Sequence, residues 1–458
     1  MARLLRISVG VSILLSFTTA AWGVDYKVVI LNPLYSEATA VSGEQQVGYG
    51  SPGYHALLWS GTPESVLDLT PSGFNWAEAW GVSGGQQVGR GTGSATGGAD
   101  HALLWSGTPG SLVDLHPSGF VTSEAIGVSG GKQVGAGFFS GPGLRGHALM
   151  WSGSAGTVVD LNPDIPGIYS SASGISGDQQ VGSCWGIYGD TAGHINMHAF
   201  LWSGTAESAL DLHPLNGFWY SYAARTSGSQ QVGGGFGPAT GGSMDALLWS
   251  GTRESVVDLH PSAFEASWAY GVSDGQQVGE GWGGVIGLET HALLWSGSAA
   301  SVVDLHEFVP SEYHSSRAWD IDSSGIIVGS ADYHAVMWVP LIHVEIDIKP
   351  GSYPNSINLG NEGVIPVAIL SGPGFNATTV DPSTIELAGA GVALRGKSSN
   401  AMAHAEDVNK DGLIDLVVQI TTQNLDPGAL QNGEATLTAK MYDGLFIEGS
   451  DEITIVPK

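Results

Sequence analysis

Cysteine is almost absent from this chain. Cys184 is the only one, so no disulfide can form within it. Exported domains too small to build a core depend on such bridges. At 458 residues this chain is long enough to build large cores without them. Basic residues are scarce as well: 15 lysines and arginines stand against 43 acids, for a net charge of −28. That balance excludes nucleic acid and anionic membrane surfaces as partners held by bulk charge. No segment keeps the 3.6-residue apolar period of an amphipathic helix. After the first two dozen residues no apolar run approaches the ~20 residues of a membrane span, so no membrane insertion is expected. Also missing are a nucleophile elbow, a His-Glu-x-x-His zinc pair and a phosphate loop with a following helix.

The first residues read as an export signal. Arg3 and Arg6 make a short basic start, Ile7 to Phe17 is apolar, and Ala21-Trp22-Gly23 fits the small-x-small rule. This predicts a signal peptide over 1–23 with cleavage before Val24; Thr18-Thr19-Ala20 offers the alternative cut. The mature protein is then expected to be secreted, extracellular or at the cell surface, and monomeric.

What dominates the rest is repetition. His-Ala-Leu-Leu-Trp or a close variant returns with its Trp at 59, 105, 151, 202, 249, 295 and 338. Such a period belongs to propellers and solenoids, in which one unit cannot bury its own apolar face. Each unit carries four blocks. Ala-x-Gly-Val-Ser stands at 79–83 and 125–129, and Gln-Gln-Val-Gly at 86–89, 179–182 and 276–279. The His-Ala-Leu-Leu-Trp block is third, and Val-Val-Asp-Leu, as at 158–161, 256–259 and 302–305, is fourth. All have strand composition, with Gly, Ser, Asp or Pro between them. Four antiparallel strands per unit make a propeller blade. The last unit lacks a good fourth block, while Lys27-Val28-Val29-Ile30-Leu31-Asn32-Pro33 supplies one before the first unit. That offset predicts ring closure by the N-terminal strand. The expected fold is all-β: a seven-bladed β-propeller over 24–341, then a β-sandwich-like domain over 342–458.

The units resemble the HAF-type extracellular repeat family of secreted bacterial proteins. The likeness rests on His198-Ala199-Phe200-Leu201-Trp202 and its six relatives, and covers roughly residues 38–340. It implies an exported repeat protein without an assigned activity.

Symmetry assigns the repeated residues to scaffold. His55, His101, His147, His198, His291 and His334 hold one position, with Asp245 in their place in the fifth unit. Asp68, Asp114, Asp160, Asp211, Asp258 and Asp304 are their natural hydrogen-bond partners. The repeated Trp is expected in the core between blades, and the repeated Gly in tight turns and close backbone packing. Ligand binding is expected instead on the connections that vary, from second to third strand and from fourth strand to the next blade, which share one face. That face is rich in aromatic rings, which suit the C–H faces of sugars. The candidates are Trp76, Phe139, Trp185, Tyr188, Asp190, His194, Trp219, Tyr220 and Trp282, with the 183–197 loop first. Glu78, Asp100, Glu124, Asp190, Glu265, Glu280, Glu289 and Glu312 lie on the same face. A glycosidase needs two of them across one bond, and no spacing in the sequence pairs them.

Past Trp338 tryptophan disappears and the repeat stops. Strands are expected over 344–348, 363–370, 384–387, 413–420, 435–440 and 452–456. Ile346-Asp347-Ile348-Lys349-Pro350-Gly351-Ser352 with Val364-Ile365-Pro366-Val367-Ala368-Ile369-Leu370 resembles a module at the C-termini of uncharacterised secreted bacterial proteins. Asp407, Asn409, Asp411, the Leu413 carbonyl and Asp415 have the spacing of a calcium loop with Gly412 at its turn, so Ca2+ is the expected structural cofactor. Val418 stands where an EF-hand has its bidentate Glu, and the following residues read as a strand. The leading expectation is a non-catalytic recognition or adhesion protein for a glycan or cell-surface protein. The rivals are a carbohydrate-active enzyme on the same face and a structural surface or matrix component.

Overall fold

The computed structural model describes residues 25–141, 145–186, 196–215, 217–396, 400–430 and 432–456; the expected signal peptide lies outside them. The described chain is all-β, and its helical pieces are 3-10 turns of three or four residues. None of its helices is long and apolar enough to cross a membrane.

The first sheet sets the pattern. β1 (Asp25–Ser42), β2 (Gln45–Gly50), β3 (His55–Trp59) and β4 (Leu67–Asp68) pair in order, antiparallel. Four-stranded sheets of the same order follow, with inner strands Phe74–Ser83, Thr122–Ser129, Ile168–Ser176, Tyr220–Ser227 and Ala266–Ser273. The last sheet has inner strand Ser316–Ile321, then Ile327–Ala331 and His334–His343. Its fourth strand is the start of β1, with Asp25 opposite Leu341 and Ile30 opposite Val336. β1 then continues as the inner strand of the first sheet, with Ser36 opposite Gly50. Each inner strand touches the next, and the last touches β1, so the sheets form a closed ring, a β-propeller.

Each block of the repeat has a packing reason. The Trp residues of the third strands are fully buried. Trp151, for instance, shares a core with Leu104, Leu115 and Val128, which joins two neighbouring sheets. The second Gln of Gln-Gln-Val-Gly ties the short turns together. Gln87 Oε1 accepts from Gly107 N at 2.7 Å, and its Nε2 donates to Gly85 O at 3.0 Å. Gln133, Gln180, Gln231 and Gln277 repeat both bonds. The Gly after Val admits no side chain, because a Cβ at Gly89 would overlap the carbonyl oxygen of Glu78. The same overlap recurs at Gly48, Gly135, Gly182, Gly233, Gly279 and Gly329.

His101 Nδ1 lies 2.7 Å from Asp114 Oδ2, and His55, His147, His198 and His291 pair likewise at 2.6–3.0 Å. His334 has no such Asp, because Ile30 of the borrowed strand stands there; its Nδ1 faces Ala331 O at 3.2 Å. The fourth block is shorter than its composition suggests. Only two residues pair, as at Val113–Asp114, after a one-turn 3-10 helix, because this outer strand is half in solvent.

The C-terminal residues form one sheet of Ile346–Ile348, Val364–Ile369, Asp415–Thr421 and Ala403–Glu406. A second set, Glu386–Leu387, Ala390–Gly391, Glu434–Lys440 and Phe446–Glu452, faces it across one apolar core. Phe446–Glu452 was not expected from sequence. It pairs in parallel with Leu341–His343, so the last propeller strand runs on beyond residue 341 and into this module.

Candidate functional site at the channel mouth

The inner strands carry a β-bulge one residue after the buried Ala of Ala-x-Gly-Val-Ser. The extra residue is Thr39, Trp80, Ile126, Ser173, Ala224, Tyr270 or Trp319 in turn. Bulges re-aim side chains. All of these except Ser173 line one cavity of about 270 Å³, together with Glu37, Tyr49 and Arg225. The x of the block is therefore the wall of a pocket. Strand alternation puts the residue before the buried Ala on the same side. There the sequence has Glu37, Glu78, Glu124, Ser171, Tyr222, Trp268 and Arg317.

These side chains form a charged arc over adjacent sheets. Arg317 Nε is 2.7 Å from Glu280 Oε2, whose other oxygen accepts from Tyr270 Oη at 2.9 Å. Arg90 reaches Glu78 at 3.3 Å and Glu124 at 3.4 Å, and its guanidinium sits 4.6 Å from the Trp80 ring centre. Glu37 lies between the two arginines and is only 6% exposed, with Tyr49 and Trp319 turned to its carboxyl. Burial pushes the Glu37, Glu78, Glu124 and Glu280 carboxyls above the usual range. The arginines pull the other way without cancelling it.

The residue after the bulge faces Val of the second strand and is Ala40, Gly81, Gly127, Gly174, Arg225, Gly271 or Asp320. Only two units put a large side chain there. Arg225 donates to Ser173 O at 2.6 Å and reaches toward Trp80 O at 3.4 Å, on other sheets. Asp320 accepts from Val41 N at 3.2 Å; burial raises its pKa to about 6, and Arg225 opposes the rise. Below Arg225 lies a second cavity of about 390 Å³, lined by serines of the opposite turns such as Ser83, Ser129 and Ser273. Arg225 and Ile126 border both cavities and divide the channel.

The aromatic candidates among the described residues stand elsewhere; none of these lines this pocket. Trp76 lies beside Arg90 at 5.4 Å from its guanidinium. Phe139 packs on Phe120 and His147, at 4.6 and 4.9 Å between rings. Trp219 and Tyr220 both pack on Phe236, with Trp219 56% exposed. Trp185 and Trp282 are half-buried in second strands of separate sheets. Tyr188, Asp190 and His194 lie outside the described residues. Of the acids named from sequence, Glu78, Asp100 and Glu124 gather round Arg90, and Glu280 joins Arg317. Glu265, Glu289 and Glu312 do not line the pocket. The residues missed were Glu37, Tyr49, Trp80, Arg225, Tyr270, Arg317 and Trp319. Most sit inside the repeated first block, at or beside its variable letter, where only sheet-by-sheet alignment marks them.

In the C-terminal loop, Asp415 accepts from Ser371 N and Val408 N, and Asp407 Oδ2 accepts from Gly412 N. The Asn409 side chain donates to Asp411 Oδ2 and accepts from Asp411 N, and Leu413 N donates to Asp411 Oδ1. Asp407 Oδ1 is buried without a hydrogen bond. Among the described residues no three His, Cys, Asp or Glu side chains form a metal-holding group.

No protein-family profile matches this sequence, and no curated protein is similar to it. Several solved structures are similar in shape. A puromycin hydrolase is 12% identical with a TM-score of 0.44, covering 75% of this chain and 60% of its own. The β-propeller domain of the Trilobed protease from Pyrococcus furiosus is 10% identical with a TM-score of 0.45, covering 65% and 91%. An oligogalacturonate lyase from Vibrio parahaemolyticus is 10% identical with a TM-score of 0.41, covering 69% and 92%. The chain thus spans about 60% of the puromycin hydrolase it resembles.

Proposed function

We propose that this protein is an exported recognition protein that binds a glycan in the channel mouth without cleaving it. In this reading the ring has seven blades and the C-terminal module is sandwich-like. One observation carries the glycan reading. The repeat keeps its scaffold letters and varies around the buried Ala, and those variable letters put Glu37, Arg225 and the rings of Trp80, Tyr270 and Trp319 round one cavity. Sugars need that mixture: ring faces for C–H stacking and fixed polar groups for hydroxyls. Incubation with a polysaccharide array should give binding that Trp80→Ala and Glu37→Gln each weaken at least tenfold. A blank array would overturn the proposal.

Cleavage is the second reading, favoured by the gathering of Glu37, Glu78, Glu124 and Glu280, carboxyls that burial pushes above the usual range. It calls for new reducing ends or unsaturated sugars after incubation, abolished in Glu37→Gln.

Calcium in the C-terminal loop is part of the same proposal. The orphaned, buried Asp407 Oδ1 fits a cation. Asp407, Asn409, Asp411, the Leu413 carbonyl and Asp415 would hold it, and its work would be to neutralise crowded oxygens.

A further inference from the structure

We propose that the channel mouth recognises the end of a polysaccharide chain, and that a tyrosine shelf between the first and last sheets carries the sugars behind that end. The inference rests on the glycan reading above. Three observations support it.

The pocket has a floor. Arg225 bonds Ser173 O on the neighbouring sheet and reaches across the channel toward Trp80 O, where four other sheets have only glycine. A chain entering from the mouth therefore stops; it cannot thread through. The volume of about 270 Å³ lies below the roughly 300–1,000 Å³ that encloses a drug-sized ligand, which leaves room for one sugar ring.

The pocket also has an exit lined with rings. Tyr49 of the wall packs against Tyr54 at 5.9 Å, Tyr54 against Tyr35 at 5.9 Å, and Tyr35 stacks on Tyr333 at 5.5 Å. Away from the wall these rings open to solvent: Tyr54 is 48%, Tyr35 42% and Tyr333 56% exposed. Beyond Tyr333 a polar cleft of about 190 Å³ is bordered by Arg317, Ser330 and Asp332. Sugar-sized apolar faces thus lead from a closed pocket to a hydroxyl-rich cleft.

Tight turns fix two of the shelf tyrosines in place. Tyr54 (φ 60°) and Tyr333 (φ 64°) lie in the left-handed region, as does Asp332 (φ 43°). A bulky aromatic residue keeps that conformation only where its surroundings enforce it. Asp332 is pinned by His314 N and Ser315 N at 2.9 Å, and Tyr333 O accepts from Ser36 N. Asp332 and Tyr333 form the two-residue turn between Ile327–Ala331 and His334–His343, a turn that calls for positive φ at both positions and holds the Tyr333 ring out at the end of the hairpin.

The test uses the full chain and the polysaccharides of the array, each intact and after partial acid hydrolysis to oligosaccharides. End recognition predicts binding per gram that rises with the number of chain ends, and about three- to tenfold weaker binding in Tyr54→Ala and in Tyr333→Ala. The double variant Arg225→Gly with Asp320→Gly, which places there the glycine of four other sheets, should lose the gain with chain ends; a variant that keeps the full gain overturns the Arg225 floor. Binding per gram that is unchanged or falls on hydrolysis overturns end recognition and leaves the glycan reading standing. Wild-type affinity in both tyrosine variants overturns the shelf. Absence of binding to every intact and hydrolysed sample overturns the glycan reading itself.

Discussion

Asp245 occupies the register that histidine holds in the other units, and the exchange has a price in protons. It is 4% exposed, its Oδ1 accepts no hydrogen bond, and His260 Nδ1 stands 3.5 Å away. Burial first, and then the nearby Asp258 carboxylate, push its pKa from 3.8 to about 7. The fold therefore holds this proton more tightly than the unfolded chain does. Its stabilisation is complete below about pH 4 and lost as pH rises through about 7. The advantage of Asp245→Asn over wild type in melting temperature should grow from pH 4 to pH 8; a constant difference would contradict this. The sequence marked the position as an exception to the histidine pattern. It did not disclose the missing hydrogen bond, which depends on what the third dimension packs beside it.

At the scale of the strand, the repeat letters were legible because period 2 and fixed glycines leave local traces. Gly89 illustrates how strict they are. A Cβ there meets backbone, which cannot rotate away as a side chain would. Gly89→Ala should therefore cost about 3 kcal/mol in denaturant unfolding, at the upper end for overpacking; an unchanged midpoint would remove the steric account. Closure of the ring was also legible, since Lys27 to Leu31 carries the letters that the last unit lacks. Removing residues 25–30 leaves Val336–Leu341 without its outer antiparallel neighbour. The expected result is protease cleavage within residues 316–343 and a lower melting temperature, against resistance equal to the full chain if the pairing is unimportant. The bulge was not legible. One unpaired residue per inner strand changes which letter faces the channel, and alternation read along a single strand misses such a shift.

For the whole molecule, −28 of net charge reads as a solubility term until the ring gathers part of it. Glu280, Glu37, Glu78 and Glu124 come from different units, and Arg317 and Arg90 stand among them. The C-terminal module is a separate core, joined to the propeller through Leu341–His343 and Phe446–Glu448. If its loop binds calcium, a chelator should lower the unfolding transition of wild type and leave Asp407→Ala unmoved; a wild-type melt indifferent to chelator would exclude the ion. The sequence by itself determined the all-β class, the repeat, its strands and the borrowed N-terminal strand, because these depend on local pattern and periodicity. It also pointed to the aromatic loops, whose described rings the tertiary structure leaves scattered over separate sheets. Only the closed ring decided the pocket. It brings residues some 40 to 280 positions apart to one axis, and it turns Arg225, one departure from a glycine pattern, into the floor of the channel.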